Sequence, residues 1–282
     1  GLPCLRHRHA KVRAAAVGYV RAAIAVPYKA KWRGAGTDAI VDLIGYMAED
    51  TIPIAAFYGG HTSVNYLAEL TGDPVAAVRL ETACMLAEFL TVIQDRYDHK
   101  TRVCAYALNA VNDSDPRIVE VAMRALAVCG REYERENQDE IVERRQYGVD
   151  GDRRANHGKP LPAPFTERPR LGTRLYVRGC TRRFLKPLLR EITNWMSKAR
   201  AQSVVLLRTV IIYCEESLTQ DLHTLVPELC GAFRVLNEDG AGSTQREAHA
   251  VAATLVECCE LLGRFVAPDS FVPFLLPRFR GD

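Results

Sequence analysis

The chain has 282 residues, 48% of them hydrophobic and 25% charged, enough apolar material for a continuous buried core. Its formal net charge of +3 is too small to argue for nucleic acid or a membrane surface as partner. No run of about 18 apolar residues occurs, and the nine cysteines show no C-x-x-C or disulfide-like spacing, so they read as reduced thiols of a cytosolic protein.

In chain order, residues 8–26 predict a helix ended by Pro27, with Ala14, Ala15, Val17 and Val20 on its apolar side. Lys29 to Gly36 predicts a basic loop holding Trp32, and Thr37 to Met47 an amphipathic helix. Glu49 to His61 predicts a further short helix with a loop. Val64 to Leu70 and Pro74 to Leu90 form one helix pair, and Asp98 to Ala110 with Pro116 to Gly130 another. Arg131 to Gln146 reads as a charged, solvated helix extension. Helical periodicity then stops over residues 147–172, where Gly148, Gly151, Gly158, Pro160, Pro162, Pro164 and Pro169 lie. It resumes over Leu175 to Ile192, Ser197 to Glu216, Thr219 to Leu236 and Thr244 to Phe265. A final short helix from Asp269 is broken by Pro273 and Pro277.

One phrase recurs through these helices: a polar turn, then an arginine six residues on, then an apolar stripe. It runs from Asn194 to Arg200, from Asp73 to Arg79, and from His7 to Arg13, with His in the Asp place. Asp113 opens a copy with Val119 where the arginine would stand, and Asp239 opens one that reaches Arg246 one residue late. The 40 residues from Asp73 to Asp113 and the 45 from Asn194 to Asp239 match the period of HEAT and armadillo repeats. The acidic residues and Pro74 and Pro116 suit helix starts, and Asp and Arg of successive repeats are expected to form a structural ladder. The expected fold is therefore an all-α solenoid of HEAT/ARM-type helix pairs, about five to six repeats. Residues 1–146 form its N-terminal array, 147–172 an irregular loop, and 173–282 the C-terminal array. The chain reads as a piece of a longer solenoid.

Candidate chemistry is sparse. Gly240-Ala-Gly-Ser-Thr244 precedes a helix, but no strand leads into it and no P-loop lysine follows, so Thr244 and Glu247 read as a capping box. His7 and His9 open a helix better than they close a metal site, and Cys258-Cys259 reads as buried packing. Trp195 reads as a packing anchor. No catalytic residue, cofactor site or metal site is expected, and hence no enzyme. Arg144, Arg145, Arg153, Arg154, Arg168 and Arg170 line the irregular stretch as a candidate surface for an acidic partner.

Four stretches resemble the family of HEAT-repeat proteins called dynein axonemal assembly factor five. They are His7-Arg-His-Ala-Lys-Val-Arg13, Asp95-Arg-Tyr97 leading to Asn112-Asp113-Ser-Asp-Pro116, Arg168-Pro-Arg-Leu-Gly172, and Glu191-Ile-Thr-Asn-Trp195 through Arg200 to Leu222. The resemblance implies a non-enzymatic cytoplasmic scaffold that helps pre-assemble dynein arms of motile cilia and flagella. Its implied partners are axonemal dynein heavy and intermediate chains, other dynein assembly factors, chaperones and co-chaperones, with neither nucleic acid nor membrane. It further implies a springy superhelix that holds a partly folded dynein subunit or a chaperone complex. The architecture alone fits a generic protein-binding scaffold of phosphatase, transport or translation type equally well.

Overall fold

The computed structural model describes residues 2–29, 37–44, 64–93, 96–146, 160–194, 197–238 and 245–280, and every regular element among them is helical. In order these are α1 (Ala10–Lys29), α2 (Thr37–Ile44), α3 (Tyr66–Thr71), α4 (Ala76–Thr91), α5 (Arg96–Ala110), α6 (Pro116–Glu136), α7 (Gln138–Gln146), α8 (Leu171–Glu191), α9 (Ser197–Cys214), α10 (Leu222–Glu238), α11 (Gln245–Phe265) and α12 (Pro268–Arg280). Short 3-10 turns occupy Leu2–Arg6 and Glu215–Asp221. The expected loop at 30–36 and short helix within 49–61 lie outside the described residues. The chain divides into two compact units, Gly1–Val128 and Cys129–Asp282, and the division falls inside α6.

In the first unit α4 is the central helix, packed against α1, α3 and α5. Val78, Thr82, Met85, Leu86 and Phe89 recur at helical spacing and are buried, each large apolar side chain contributing roughly 1.5–3 kcal/mol. Thr82 is tolerated among them because its hydroxyl donates to the Val78 carbonyl at 2.8 Å. Asn65 starts α3 by accepting the Ala68 N–H at 3.0 Å. Its side-chain amide meanwhile donates to the Tyr106 hydroxyl of α5 at 2.7 Å. α1 continues through Pro27 to Lys29 rather than stopping before it. A proline so near the C-terminal end removes one helical hydrogen bond and leaves the last residues helical.

In the second unit α9 is central, packed on α8 and α11, while α10 packs on α11 and α12. Val204, Leu207, Val210, Ile211 and Cys214 form its buried stripe as expected. The charged extension is two helices, broken at Asn137, whose side-chain amide donates to the Tyr133 carbonyl at 3.0 Å. One face of α7 is pinned, since Ile141 is buried with Leu171 and Leu175 of α8 against Tyr133. α8 begins at Leu171, so the irregular stretch ends sooner than expected. α12 runs unbroken through Pro273 and Pro277. The fixed φ of proline fits a helix, so each ring costs a hydrogen bond without forcing a break there.

The close approach of α6 and α8 explains that early start. A Cβ on Gly130 would lie 2.5 Å from the Thr173 nitrogen, and one on Gly172 would lie 2.2 Å from the Gly130 carbonyl oxygen. Two backbones meet where only glycine fits. By contrast Gly179, also in α8, has open space around its Cβ position. G130A or G172A is expected to lower urea-unfolding stability by about 1–3 kcal/mol, whereas G179A should be neutral or slightly stabilising. Leu207 is wholly buried in α9. L207D is expected to strip hydrogen-exchange protection from the second unit before the first, because such arrays are stabilised by neighbour contacts.

Candidate functional site

The recurring phrase builds a repeated interaction. The Arg13 Nε donates to Asp73 Oδ2 at 2.6 Å and one terminal nitrogen to Oδ1 at 3.0 Å, while the other donates to the His7 carbonyl at 2.7 Å. Arg79 repeats this on Asp113 at 2.7 and 3.0 Å, and on the Asp73 carbonyl at 2.7 Å. Arg200 donates to the Asn194 carbonyl at 3.0 Å and is 1% exposed. Each arginine thus closes its own turn six residues back, and the first two also grip the aspartate of the next phrase.

The aspartates shape their own turns as well. Asp73 Oδ1 accepts the Val75 N–H and Asp113 Oδ1 the Asp115 N–H, both at 2.9 Å. His7 does the same with Nδ1, accepting the His9 N–H at 3.1 Å, which is why it can stand in the Asp place. Val119 is half-buried in α6 and, having no donors, ends the ladder there. Asp239 lies outside the described residues, as do Trp195 and the Gly240–Thr244 turn. Arg246 is exposed on α11.

Among the arginines of the irregular stretch, those described in full meet carboxylates of their own chain. Arg144 pairs with Glu140 at 3.0 Å, and Arg170 with Glu134 at 2.6 Å. Glu134 also accepts the Gly172 N–H at 3.1 Å. Arg168 takes Glu215 in a two-pronged contact at 2.8 and 2.5 Å. Arg174 adds a 2.6 Å contact to the same carboxylate and donates to the Pro169 carbonyl at 3.1 Å. The side chain of Arg145, together with Arg153 and Arg154, lies outside the described residues.

Glu215 was not singled out by sequence reasoning, and it decides the local chain path. It is 1% exposed and has φ of 46°, a left-handed conformation in a residue other than glycine. α9 therefore ends at Cys214, short of the expected Glu216, and the chain proceeds as a 3-10 turn. Two guanidiniums on one buried carboxylate hold the strained residue in place. Upstream, Phe165 packs edge-on against Tyr213 at 5.5 Å between ring centres. Every member of Arg168-Pro-Arg-Leu-Gly172 has a contact or a steric role: Arg168 on Glu215, the Pro169 carbonyl under Arg174, Arg170 on Glu134, Leu171 in the core and Gly172 against α6.

Burial pushes the Cys214 thiol up to about 12 and raises the Cys258 thiol as well, which disfavours the reactive thiolate at both. Cys258 is buried as expected, but Cys259 is exposed, because successive helix residues face different sides. Among the described residues no group of three or more His, Cys, Asp or Glu side chains could hold a metal ion, and no helix is long and apolar enough to cross a membrane.

Two family models cover most of the chain. The HEAT-repeat domain of dynein axonemal assembly factor 5 matches residues 160–282, and the TPR repeats of dynein axonemal assembly factor 5-like proteins match residues 56–144. Both models are of dynein axonemal assembly factor 5, the family this chain resembles. Proteins named dynein axonemal assembly factor 5 from Homo sapiens and Xenopus laevis are each 24% identical to it, over 217 and 216 residues, or 77% and 76% of this chain. The Drosophila melanogaster protein of that name is 24% identical over 74% of the chain. These matches cover 23% of the human and frog proteins and 22% of the fly protein, so the chain spans less than a quarter of the relatives' length. The HEAT-repeat match, with every regular element among the described residues helical, makes the fold an all-α HEAT-type solenoid. The 40-residue step from Asp73 to Asp113, read within the family's TPR-matched part, is nearer the HEAT period than the 34 residues of a TPR unit.

Burial pushes the Asp113 carboxyl up, but hydrogen bonds from Arg79 and from the Asp115 N–H outweigh this and hold it below its usual 3.8. A carboxylate with a depressed folded-state pKa adds stability above its unfolded pKa and loses it as pH falls through the folded one. R79A is expected to cost about 2 kcal/mol at neutral pH, by urea unfolding. D113N should flatten the loss of stability below pH 3.8, so acid and neutral melting temperatures should converge relative to the parent chain.

Proposed function

We propose that this chain is a non-catalytic scaffold segment for cytoplasmic pre-assembly of the axonemal dynein arms of motile cilia and flagella. The supporting observation is the conjunction of family and architecture. Relatives named for dynein assembly match most of the chain, and its conspicuous polar residues tie one helical repeat to the next. A ladder of this kind spends its arginines and aspartates on rigidity and leaves the helix faces for binding. The proposed partners are axonemal dynein heavy and intermediate chains, other dynein assembly factors, chaperones and co-chaperones.

The chain, immobilised and washed with cytoplasmic extract from cells regrowing flagella, is expected to retain axonemal dynein heavy and intermediate chains together with chaperones, read by mass spectrometry. Retention of phosphatase subunits, transport factors or RNA in place of dynein chains would overturn the proposal.

A further inference from the structure

An open cleft of about 270 Å³ lies in the second unit, between α7, α8, the end of α9 and the 3-10 turn that follows. Arg144 of α7 and Arg178 and Arg182 of α8 line it together with Glu216, Gln220 and Asp221 of the 3-10 turn. Arg178 and Arg182 are four residues apart on α8 and so share a face, a like-charge spacing that costs an isolated helix stability. One carboxylate, Glu140, serves two of these cations. It accepts from Arg144 at 3.0 Å and from Arg178 at 3.5 Å, and its other oxygen also takes the Tyr133 hydroxyl at 2.8 Å. Arg182 is exposed.

Among the described residues, Arg144 and Arg178 are thus held in place by one shared carboxylate. Across the cleft the Glu216 carboxyl is pushed up, first by burial and then by neighbouring Glu215. A phosphate dianion entering the cleft would face Glu216 and Asp221. A single carboxylate would meet the arginines while the peptide N–H groups beside it met Glu216 and Asp221.

We propose that this cleft binds an acidic side chain of a partner polypeptide, its carboxylate held by Arg178 and Arg182 beside Arg144, and its flanking N–H groups by Asp221 and Glu216. The idea deepens the scaffold reading and rests on it only in taking a polypeptide as the ligand. A synthetic probe tests it whether or not dynein chains are retained from extract.

The measurement is fluorescence anisotropy of a labelled peptide of alternating glutamate and glycine, titrated with the 282-residue chain at low salt. The parent chain is expected to bind, and R178Q/R182Q to bind about tenfold more weakly. R182Q alone should weaken binding a few-fold with an unchanged melting temperature, which separates a lost contact from a lost fold. No binding by the parent chain, equal binding by R178Q/R182Q, or equal binding of a lysine–glycine peptide would overturn the proposal. Tighter binding of a phosphoserine peptide than of the glutamate peptide would overturn its choice of a carboxylate.

Discussion

The structure depends on what one guanidinium can do at once. Arginine carries five N–H donors in a fixed plane, enough to fork onto a carboxylate and still reach a backbone carbonyl on the other side. Arg13 and Arg79 use that capacity in the same way, joining a turn within one phrase to the aspartate of the next. Lysine, a point charge on a flexible stem, could not hold both contacts in register. The pairs are well shielded from solvent, with the Arg79 and Asp113 side chains 15% and 10% exposed. A missing partner would leave a poorly solvated charge, so the two residues are constrained as a unit.

The second unit carries a further fastening. Its Arg200 keeps the contact to the turn carbonyl and is fully enclosed by the core. The added fastening comes from Glu215, which binds Arg168 from the irregular stretch and Arg174 from α8. Glycine would adopt the same φ without strain, but it could not supply a carboxylate to two cations. The strained backbone is the consequence of needing that side chain at that corner. Phe165 on Tyr213 then lays the segment before α8 against the unit, and Gly172 lets α8 approach α6.

The turn phrase was legible because its parts are local: a polar residue, six residues, an arginine, an apolar stripe. Even the substitution of His7 for Asp and of Val119 for Arg could be read from spacing, and the structure gives each a physical meaning. What could not be read were pairings whose members lie 41 to 47 residues apart, such as Arg174 or Arg168 with Glu215. Nothing in a helix-period pattern announces that Glu215 will turn left-handed, or that Gly172 belongs inside a helix rather than in the proline-rich loop before it. Pro27, Pro273 and Pro277 misled for the opposite reason. Their local signal is strong, yet the helices containing them continue. The arginines at 168 and 170 looked like free surface charge because Glu215 and Glu134 are brought to them only by the fold, whereas Arg144 meets Glu140 one helical turn back on its own helix.

Asp73 is both the receiver of the preceding arginine and the organiser of its own turn, and Asp113 holds both offices in the same way. The segment from Asp73 to Asn112 therefore carries one complete socket at its front and one complete plug in Arg79. Copied in tandem, its plug would meet the duplicate's Asp73 where it now meets Asp113, and the duplicate's own plug would meet Asp113 in turn. An array of this kind can lengthen by whole units without redesigning a single contact, and the chemistry of the joint sets the frame in which it may be cut.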